Sequence, residues 1–533
     1  MTPPPRSLAE RLLPAGFLLT IALYVAVIVI KPGVFFADDS YFYFQVAWNF
    51  AHGLGSTFNG VMNTNGYHPL WMLVCALVCK LSLSKAAAVH GIAAAICLCD
   101  LLMLWLVQRI LARVADNLWP IAFVLLVPFS FLSQLGTEGA LSGCLLAASV
   151  LAVYDFVRGP TAVRALLFNL IAALAVLARL DNIFIIGFLW LAVWLAAPVT
   201  LRASIFKLQV FCIPVYLVLW GGYLASNFYY FGIFQPISGM VKSHPTLHLR
   251  LGSNLPHTAW HMLAIILPCM ALLGWKRRDL FFRLVELPFA LGVLCHACYI
   301  VFRMSDETRW SWYYTSWVLL ASLLLARVTS LLLPHLARFL GRSRSALALS
   351  MAWACLLVLL AGWVKISFLH FYRGPDSGQP FFLQQVAQSK GLHTAFSFDK
   401  PGQIAYYTTI RVIPLDDLMG NMDFQRQLIA RGIDRYAADH GVDTFIGPPV
   451  PLNGDGYKDF CQAIYLDSMF FHCIQTGPAT WMPVSVDVYA RVPHSYVGSL
   501  QLHPAQLLWT QPGQVSFWRI LPDASADAPR PSF

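Results

Sequence analysis

Asp38 and Asp39 stand together in the stretch Phe35-Phe36-Ala37-Asp38-Asp39-Ser40-Tyr41, directly behind the first hydrophobic segment of the chain. Adjacent carboxylates at the edge of an apolar segment repel each other, and partial desolvation raises their pKa unless a cation, a metal or hydrogen bonds compensate. Such a pair suits chemistry on a hydroxyl group: one carboxylate takes the proton as a general base. The other orients it, binds a second hydroxyl or ligates a metal. The plainer reading is a solvated loop or the start of a helix, where Asp is favoured.

Further polar residues recur along the chain. Asn63-Thr64-Asn65-Gly66-Tyr67-His68-Pro69-Leu70-Trp71 combines an Asn-Gly turn with a proline that can open a helix. Tyr67, His68 and Trp71 offer stacking faces and hydrogen bonds there, or simply an interfacial aromatic belt. Glu138, in Gly136-Thr137-Glu138-Gly139, is a third carboxylate able to approach the Asp pair, or an acid drawn to a helix N-terminus by the dipole. Arg179 and Asp181 read as an ion pair at a helix end. Lys242 follows Pro236-Ile237-Ser238-Gly239-Met240-Val241, with His244 close behind. A lysine here binds a phosphate through charge-assisted hydrogen bonds, or snorkels from a helix end. Arg309, ahead of Trp310-Ser311-Trp312-Tyr313-Tyr314, offers the same choice between phosphate binding and an interfacial anchor.

The elements that must position these groups are apolar helices. The 533 residues are 58% hydrophobic and only 12% charged, with a mean hydropathy of +0.63. Soluble domains carry roughly 25% charged residues, so a polytopic membrane protein is expected. The net charge of +10 fits basic loops on the cytoplasmic side, and no basic run or zinc-ligand spacing points to nucleic acid. Arg6 and Arg11 precede the first apolar run without a small-residue cleavage site behind it, which reads as a retained helix. With about 20 apolar residues needed per crossing, about 11 spans are predicted, near 14–33, 87–108, 118–134, 139–157, 165–180, 183–199, 208–227, 257–275, 285–302, 315–333 and 346–366.

Basic clusters at Arg6/Arg11, Arg109/Arg113, Arg158/Arg164, Arg202/Lys207, Lys276/Arg277/Arg278 and Arg338/Arg342/Arg344 fall between alternate spans. Placing them in the cytoplasm puts the N-terminus inside and the C-terminus outside. Pro69–Leu83 must then lie in or re-enter the outer leaflet, which makes residues 34–86 one large outer loop. Tyr41–Ala51 reads as an interfacial aromatic helix within it. Asp38, Asp39, His68, Glu138, Arg179, Asp181, Lys242, His244, Asp306, Glu307 and Arg309 all land near the outer face.

Residues 1–366 are thus expected to form the membrane module, and residues 367–533, with no spanning run, a soluble α/β domain at the outer side. There a helix is predicted over Phe381–Lys390, a strand over His393–Phe398, a helix over Phe424–His440 and a strand over Asp443–Ile446. Ten of the 12 cysteines lie in or beside apolar segments and behave as small hydrophobes. Cys461 and Cys473, in an oxidising compartment, are either a disulfide or two free thiols. The tail Asp523–Phe533 reads as disordered.

Taken together these segments resemble the GT-C superfamily of integral-membrane glycosyltransferases, which use polyprenyl-phosphate-linked sugars and include protein mannosyltransferases, aminoarabinose transferases and arabinofuranosyltransferases. The resemblance rests on Asp38-Asp39-Ser40-Tyr41, Asn65-Gly66-Tyr67-His68-Pro69-Leu70-Trp71, Gly136-Thr137-Glu138, Pro236-x-Ser238-Gly239-x-x-Lys242-Ser243 and Trp312-Tyr313-Tyr314. Leu415-Asp416-Asp417-Leu418-Met419-Gly420-Asn421 is similar to a Leu-Asp-Gly-Leu-Met-Asn stretch of bacterial members, with Asp417 for the glycine and Gly420 inserted. It implies an undecaprenyl-phosphate-type donor in a bacterial inner membrane, inverting transfer, and a lipid, glycan or protein acceptor at the periplasmic face. Asp38, Asp39 and Glu138 would be the catalytic acids. Lys242, His244 and Arg309 would hold the donor phosphate, and Tyr41, Tyr67, His68, Trp312 and Tyr313 would contact substrate. Metal use varies among members, so no cofactor follows and a divalent metal stays open.

A transporter or flippase of lipid-linked sugars is the alternative from another class. Transporters, however, place substrate near the bilayer midplane, often between repeated halves. No internal repeat is evident in this chain, and its charges gather at one face.

Overall fold

A computed structural model of the chain describes residues 8–133, 136–243, 257–276, 278–304, 311–373, 379–397, 400–415, 418–447, 473–474, 484–491, 494–510 and 516–520. Among these, eight helices are long and apolar enough to cross a membrane, from Leu12–Ile30 to Arg344–Lys365. The shorter apolar helices Trp119–Phe131, Ala162–Ala178 and Leu180–Ala196 occupy three of the remaining predicted spans. Pro69–Leu81 has 13 residues and, like Trp119–Phe131, is shorter than the roughly 20 that a full crossing takes. It begins at Pro69 as expected and stops at Ser82, ahead of a new helix whose N-cap, Ser84, accepts a hydrogen bond from the Ala87 amide.

The basic clusters meet at one end of the bundle. Arg113 pairs with Asp155 at 2.5 Å, and Asp116 pairs with Arg344 at 2.6 Å. Arg327, buried in helix Thr315–Phe339, is held there by Glu286 and Asp279 at 3.0 Å and by the Val114 carbonyl at 2.9 Å. The loops that carry the conspicuous acids gather at the opposite end.

Helix Asp38–Ala51 differs from its expected interfacial form. It is buried nearly all round, from Ser40 to Ala47 and at Asn49, because helices Pro69–Leu81 and Pro401–Tyr407 both pack against it. The Tyr41 ring packs at a tilt against those of Tyr406 and Tyr407. Lys85 donates to the Tyr406 carbonyl at 2.6 Å and to Gln45 at 3.0 Å. The Tyr406 hydroxyl donates back to the Lys85 carbonyl at 2.8 Å.

The C-terminal part is a mixed sheet in the order β2-β1-β3-β7-β6-β5-β4. Its strands are β1 (Thr394–Ser397), β2 (Arg411–Pro414), β3 (Thr444–Gly447), β4 (Cys473–Ile474), β5 (Val484–Arg491), β6 (His494–Thr510) and β7 (Ser516–Ile520). β2, β1 and β3 run parallel, with helices on the crossovers, and the remaining pairs are antiparallel. The single helix expected over Phe424–His440 is two, Met422–Arg431 and Ile433–Asp439. Gly432 breaks it with a φ of +81°, a conformation that other residues rarely adopt. This part buries its own cluster around Phe396, Phe424 and Phe445, while Tyr406, Leu418 and Met419 belong to the apolar core of the helical bundle. Cys461, and with it the disulfide question, lies outside the described residues, as does the tail.

Candidate functional site

At the acidic end of the bundle a cavity of about 350 Å³ opens between the first outer loop, the later outer turns and the C-terminal part. Asp39, His68, Glu138, Arg179, Asp181, Lys242, Trp312 and Tyr313 all line it. Residues spread over some 270 positions of sequence thus converge on one space, roughly as the charge parity implied.

Helix geometry separates the acidic doublet. Asp38 and Asp39 occupy the first turn of helix Asp38–Ala51, behind Ala37 as N-cap. Consecutive residues on a helix point about 100° apart, whereas positions three or four apart share a face. Asp39 therefore shares the cavity wall with Phe42 and Tyr43. Asp38 turns with Tyr41 towards helix Pro401–Tyr407, where its carboxylate accepts from the Gly402 amide at 3.0 Å and the Gln403 amide at 2.7 Å. It supplies the cap that Lys400, the residue at that helix N-cap, does not.

Glu138 sits at the centre of a buried polar network. Arg179 Nη1 donates to its Oε1, the Tyr43 hydroxyl donates to Oε2 at 2.8 Å, and His68 Nε2 lies 3.6 Å away. The Arg179 fork continues to Asp181 through Nε and Nη2 at 3.0 and 2.9 Å. Asp181 in turn lies 3.2 Å from His296 Nε2. Burial pushes the Glu138 carboxyl up, but the neighbouring His68 and Arg179 outweigh it and hold the group below the ordinary carboxyl range. Burial lowers His68 and Arg179 lowers it further, against the opposing pull of Glu138. Arg179 is the permanent cation bonded directly to Glu138. Gly136 makes this turn feasible: its φ is +83°, and a Cβ there would stand 2.6 Å from Ser40 Oγ.

Across the cavity, Lys242 Nζ donates to the Tyr313 hydroxyl at 3.1 Å. The Arg179 guanidinium lies over the same ring at 4.5 Å. Tyr313 is thereby held between two cations, beside Trp312 in the turn Ser311–Tyr314. Asn65 sets the approach to Lys242: its Oδ1 accepts from the Ile237 amide at 3.1 Å, and its Nδ2 reaches the Gln235 carbonyl at 3.3 Å. Leu418 and Met419 close the cavity from the C-terminal part. Gly66 lets them in, since a Cβ there would stand only 1.9 Å from the Leu418 carbonyl oxygen.

Tyr41 and Tyr67 are not on the cavity wall. Tyr41 is buried against the C-terminal part and bonds the Tyr407 hydroxyl at 3.1 Å. Tyr67 bonds Ser56 Oγ at 2.6 Å inside the outer loop. His244, Asp306, Glu307, Arg309, Asp416 and Asp417 lie outside the described residues. Arg179 and Tyr43 were not singled out as site residues from the sequence. Tyr43 had a signal, its spacing of four from Asp39, whereas Arg179 looked satisfied by Asp181 two residues away. Among the described residues no group of three or more His, Cys, Asp or Glu side chains is placed to hold a metal ion.

No protein-family model and no curated protein matches the chain. Solved structures do. ArnT from Cupriavidus metallidurans in the apo state aligns with a TM-score of 0.54 and 12% identity over 96% of this chain and 99% of that one. The same protein bound to undecaprenyl phosphate aligns at 0.52 and 10% identity, with the same coverage. The Archaeoglobus fulgidus oligosaccharyltransferase, in complex with Zn and sulfate, gives 0.47 and 10% identity over 80% of this chain and 68% of that one. At these identities the likeness is one of architecture: the chain is a polytopic helical membrane protein with the GT-C-like fold seen in ArnT.

Proposed function

We propose that this chain is a glycosyltransferase that moves a sugar from a polyprenyl-phosphate carrier to an acceptor at the outer, periplasmic face of a bacterial inner membrane. One observation carries the reading: a candidate base, Asp39, and a cationic wall, Lys242 with Tyr313 and Arg179, line the same cavity. The fold agrees with it, since one ArnT structure holds undecaprenyl phosphate. In this reading residues 1–366 form the catalytic module, with 34–86 as its large outer loop, and 367–533 form the periplasmic domain.

The acceptor hydroxyl oxygen bonds to the anomeric carbon while the bond from that carbon to the phosphate oxygen breaks. Asp39 takes the hydroxyl proton, and the electron pair departs on the polyprenyl phosphate. A single displacement of this kind inverts the anomeric centre. Lys242 stabilises the charge gathering on the leaving phosphate, and the fixed donors around it need no reorganisation as the bond breaks. Glu138 acts through others: it holds Arg179, which lies under Tyr313, and it anchors Tyr43 and His68 at the mouth of the cavity. Asp38 docks the C-terminal part. His244 and Arg309 follow Lys242 and precede Trp312 in sequence and are proposed as further phosphate ligands.

The test offers purified protein a panel of polyprenyl-phosphate sugars and measures free polyprenyl phosphate. Release with one donor is expected. It should fall roughly 10²–10⁴-fold in Asp39→Asn, the usual contribution of a general base. Lys242→Ala should chiefly raise the donor concentration needed. No release from any donor, with folded protein and an acceptor extract supplied, would overturn the reading.

A further inference from the structure

Between helix Asp38–Ala51, the start of helix Lys85–Val114 and strands β1 and β2 lies a cavity of about 460 Å³. It shares no residue with the reaction cavity. Lys85, His393 and Arg411 are on its wall, and no aspartate or glutamate is.

Lys85 is the first residue of a helix of 30. The helix dipole makes that end positive, so a lysine there carries the disfavoured sign. Its ammonium has three donors. Two are used, on the Tyr406 carbonyl at 2.6 Å and on Gln45 Oε1 at 3.0 Å. Both acceptors are neutral, so they satisfy donors and leave the charge in place, and among the described residues Lys85 makes no ion pair. Arg411 opens β2 and is exposed. Its backbone amide donates to the His393 carbonyl at 2.8 Å, which sets these two residues side by side. Among the described residues its guanidinium has neither a hydrogen bond nor an ion pair.

The uncharged side chains of the wall are already engaged. Gln45 and Asn49 each donate to the Phe58 carbonyl at 3.2 Å. Thr409 is closed on Gln384, its amide donating at 2.8 Å and its hydroxyl accepting at 3.2 Å. What the cavity offers a ligand is therefore cationic: the third Lys85 donor, the Arg411 fork and the His393 ring. Two like charges on one wall repel each other until an anion lies between them.

We infer that this cavity is an anion site that takes a phosphate group between Lys85 and Arg411. An ammonium beside a guanidinium fork matches phosphate in charge and in hydrogen-bond geometry. The surroundings favour a lipid as its carrier. Leu54 lines the cavity and is exposed, as are Leu81 and Leu83 in the turn just before Lys85. Exposed leucines beside a cation at the end of a membrane-crossing helix fit a bilayer surface, with acyl chains against the leucines and headgroups level with the charge. The ligand is then an anionic phospholipid headgroup, seated where the α/β part meets the bundle. It touches no reacting atom and does not depend on the transferase reading.

The test titrates the full chain in detergent with dihexanoyl phosphatidylglycerol, dihexanoyl phosphatidylcholine and inorganic phosphate, by calorimetry at low and high salt. Phosphatidylglycerol should bind more tightly than phosphatidylcholine, and salt should weaken it. Arg411→Ala should cost roughly tenfold in affinity, the low end for a hydrogen bond between charged groups because Arg411 is exposed, and Arg411→Lys should restore part of it. The melting temperature of Arg411→Ala without ligand should stay at the wild-type value. Lys242→Ala, which alters only the reaction cavity, should leave binding unchanged. Inorganic phosphate bound as tightly as phosphatidylglycerol, with the same dependence on Arg411, would keep the phosphate site and make its carrier soluble. No binding by any of the three, equal affinity for the two lipids, binding indifferent to Arg411→Ala, or binding lost in Lys242→Ala would overturn the inference.

Discussion

Replacing the two adjacent acids one at a time tests the division of labour between the faces of helix Asp38–Ala51. In Asp38→Asn one carboxylate oxygen becomes an amide NH₂ and can no longer accept. Either the Gly402 or the Gln403 amide, now bonded at 3.0 and 2.7 Å, is left facing a donor. Losing a hydrogen bond to a charged group costs about 1.5–3 kcal/mol, with the low end expected here because Asp38 keeps some solvent contact. The consequence is local: helix Pro401–Tyr407 loosens, and with it the Tyr41, Tyr406 and Lys85 contacts that seat the α/β part. A lower melting temperature and faster proteolysis of the C-terminal part should accompany only a modest fall in polyprenyl phosphate release. Asp39→Asn removes a carboxylate from the cavity wall. It should cut release roughly 10²–10⁴-fold, far more than any change in melting or proteolysis accounts for. The reasoning fails if Asp39→Asn keeps full activity while Asp38→Asn abolishes it with unchanged melting and proteolysis.

Acid should destabilise the protein in two stages. His68 and Glu138 both have folded-state pKa values below their ordinary values of 6.5 and 4.5, so each contributes stability that is complete above that value and is lost as pH falls through the folded one. Melting temperature should therefore decline below pH 6.5 and again below pH 4.5, and His68→Asn should remove the upper stage and shrink the lower one, since His68 helps hold the Glu138 pKa down. Gly136→Ala imposes a left-handed backbone on a Cβ residue, at about 1–2 kcal/mol, and drives the methyl group against Ser40; a lower melting temperature and impaired release are expected together. Gly66→Ala should push Leu418 off the cavity, which would show as faster proteolysis of the C-terminal part with the helical bundle intact. Arg179→Lys retains a positive charge but not the fork that reaches Glu138 and Asp181 together, so both the melting temperature and the apparent affinity for donor should fall. An unchanged donor KM would show that Arg179 does not support the phosphate site.

The helical bundle was legible because each crossing writes its own run of apolar residues, and because loops at one end share a sign of charge. Pro69–Leu81, set apart from the spans by the parity of the basic clusters, is a short helix of 13 residues. What remained hidden lies in contacts between distant segments. Helix Asp38–Ala51 has the aromatic residues of an interfacial helix, and only the packing of Pro401–Tyr407 on it explains why Tyr41 and Tyr406 are buried. Local pairing misled in the case of Arg179. Asp181 lies two residues away and satisfies part of the guanidinium, yet Glu138, 41 positions earlier, takes another part. The period of helix Asp38–Ala51 divides the doublet between two faces: Asp39 and Tyr43 differ by four residues, Asp38 and Tyr41 by three.

The buried wall of the cavity poses an energetic question. Glu138, Arg179, Asp181 and His296 form a run of charged and polar groups that are almost wholly shielded from solvent, their side chains between 2% and 16% exposed. Buried ion pairs add little net stability, and apolar replacements of similar volume are often neutral or better. The run is therefore poorly explained as a stabilising device. Its geometry accounts for it more directly. Glu138 and Asp181 grip three of the guanidinium nitrogens, which fixes the plane of Arg179 and lays it over Tyr313. Tyr313, so pinned, presents its hydroxyl to Lys242. An ammonium on a flexible stem is thereby held at one point of the wall opposite Asp39, and the rotational freedom that phosphate binding would otherwise have to remove is already lost in the folded protein. In the proposed reaction, a cation fixed in the same cavity as Asp39 serves transfer from a lipid phosphate to a hydroxyl, and stability is given up to hold it there.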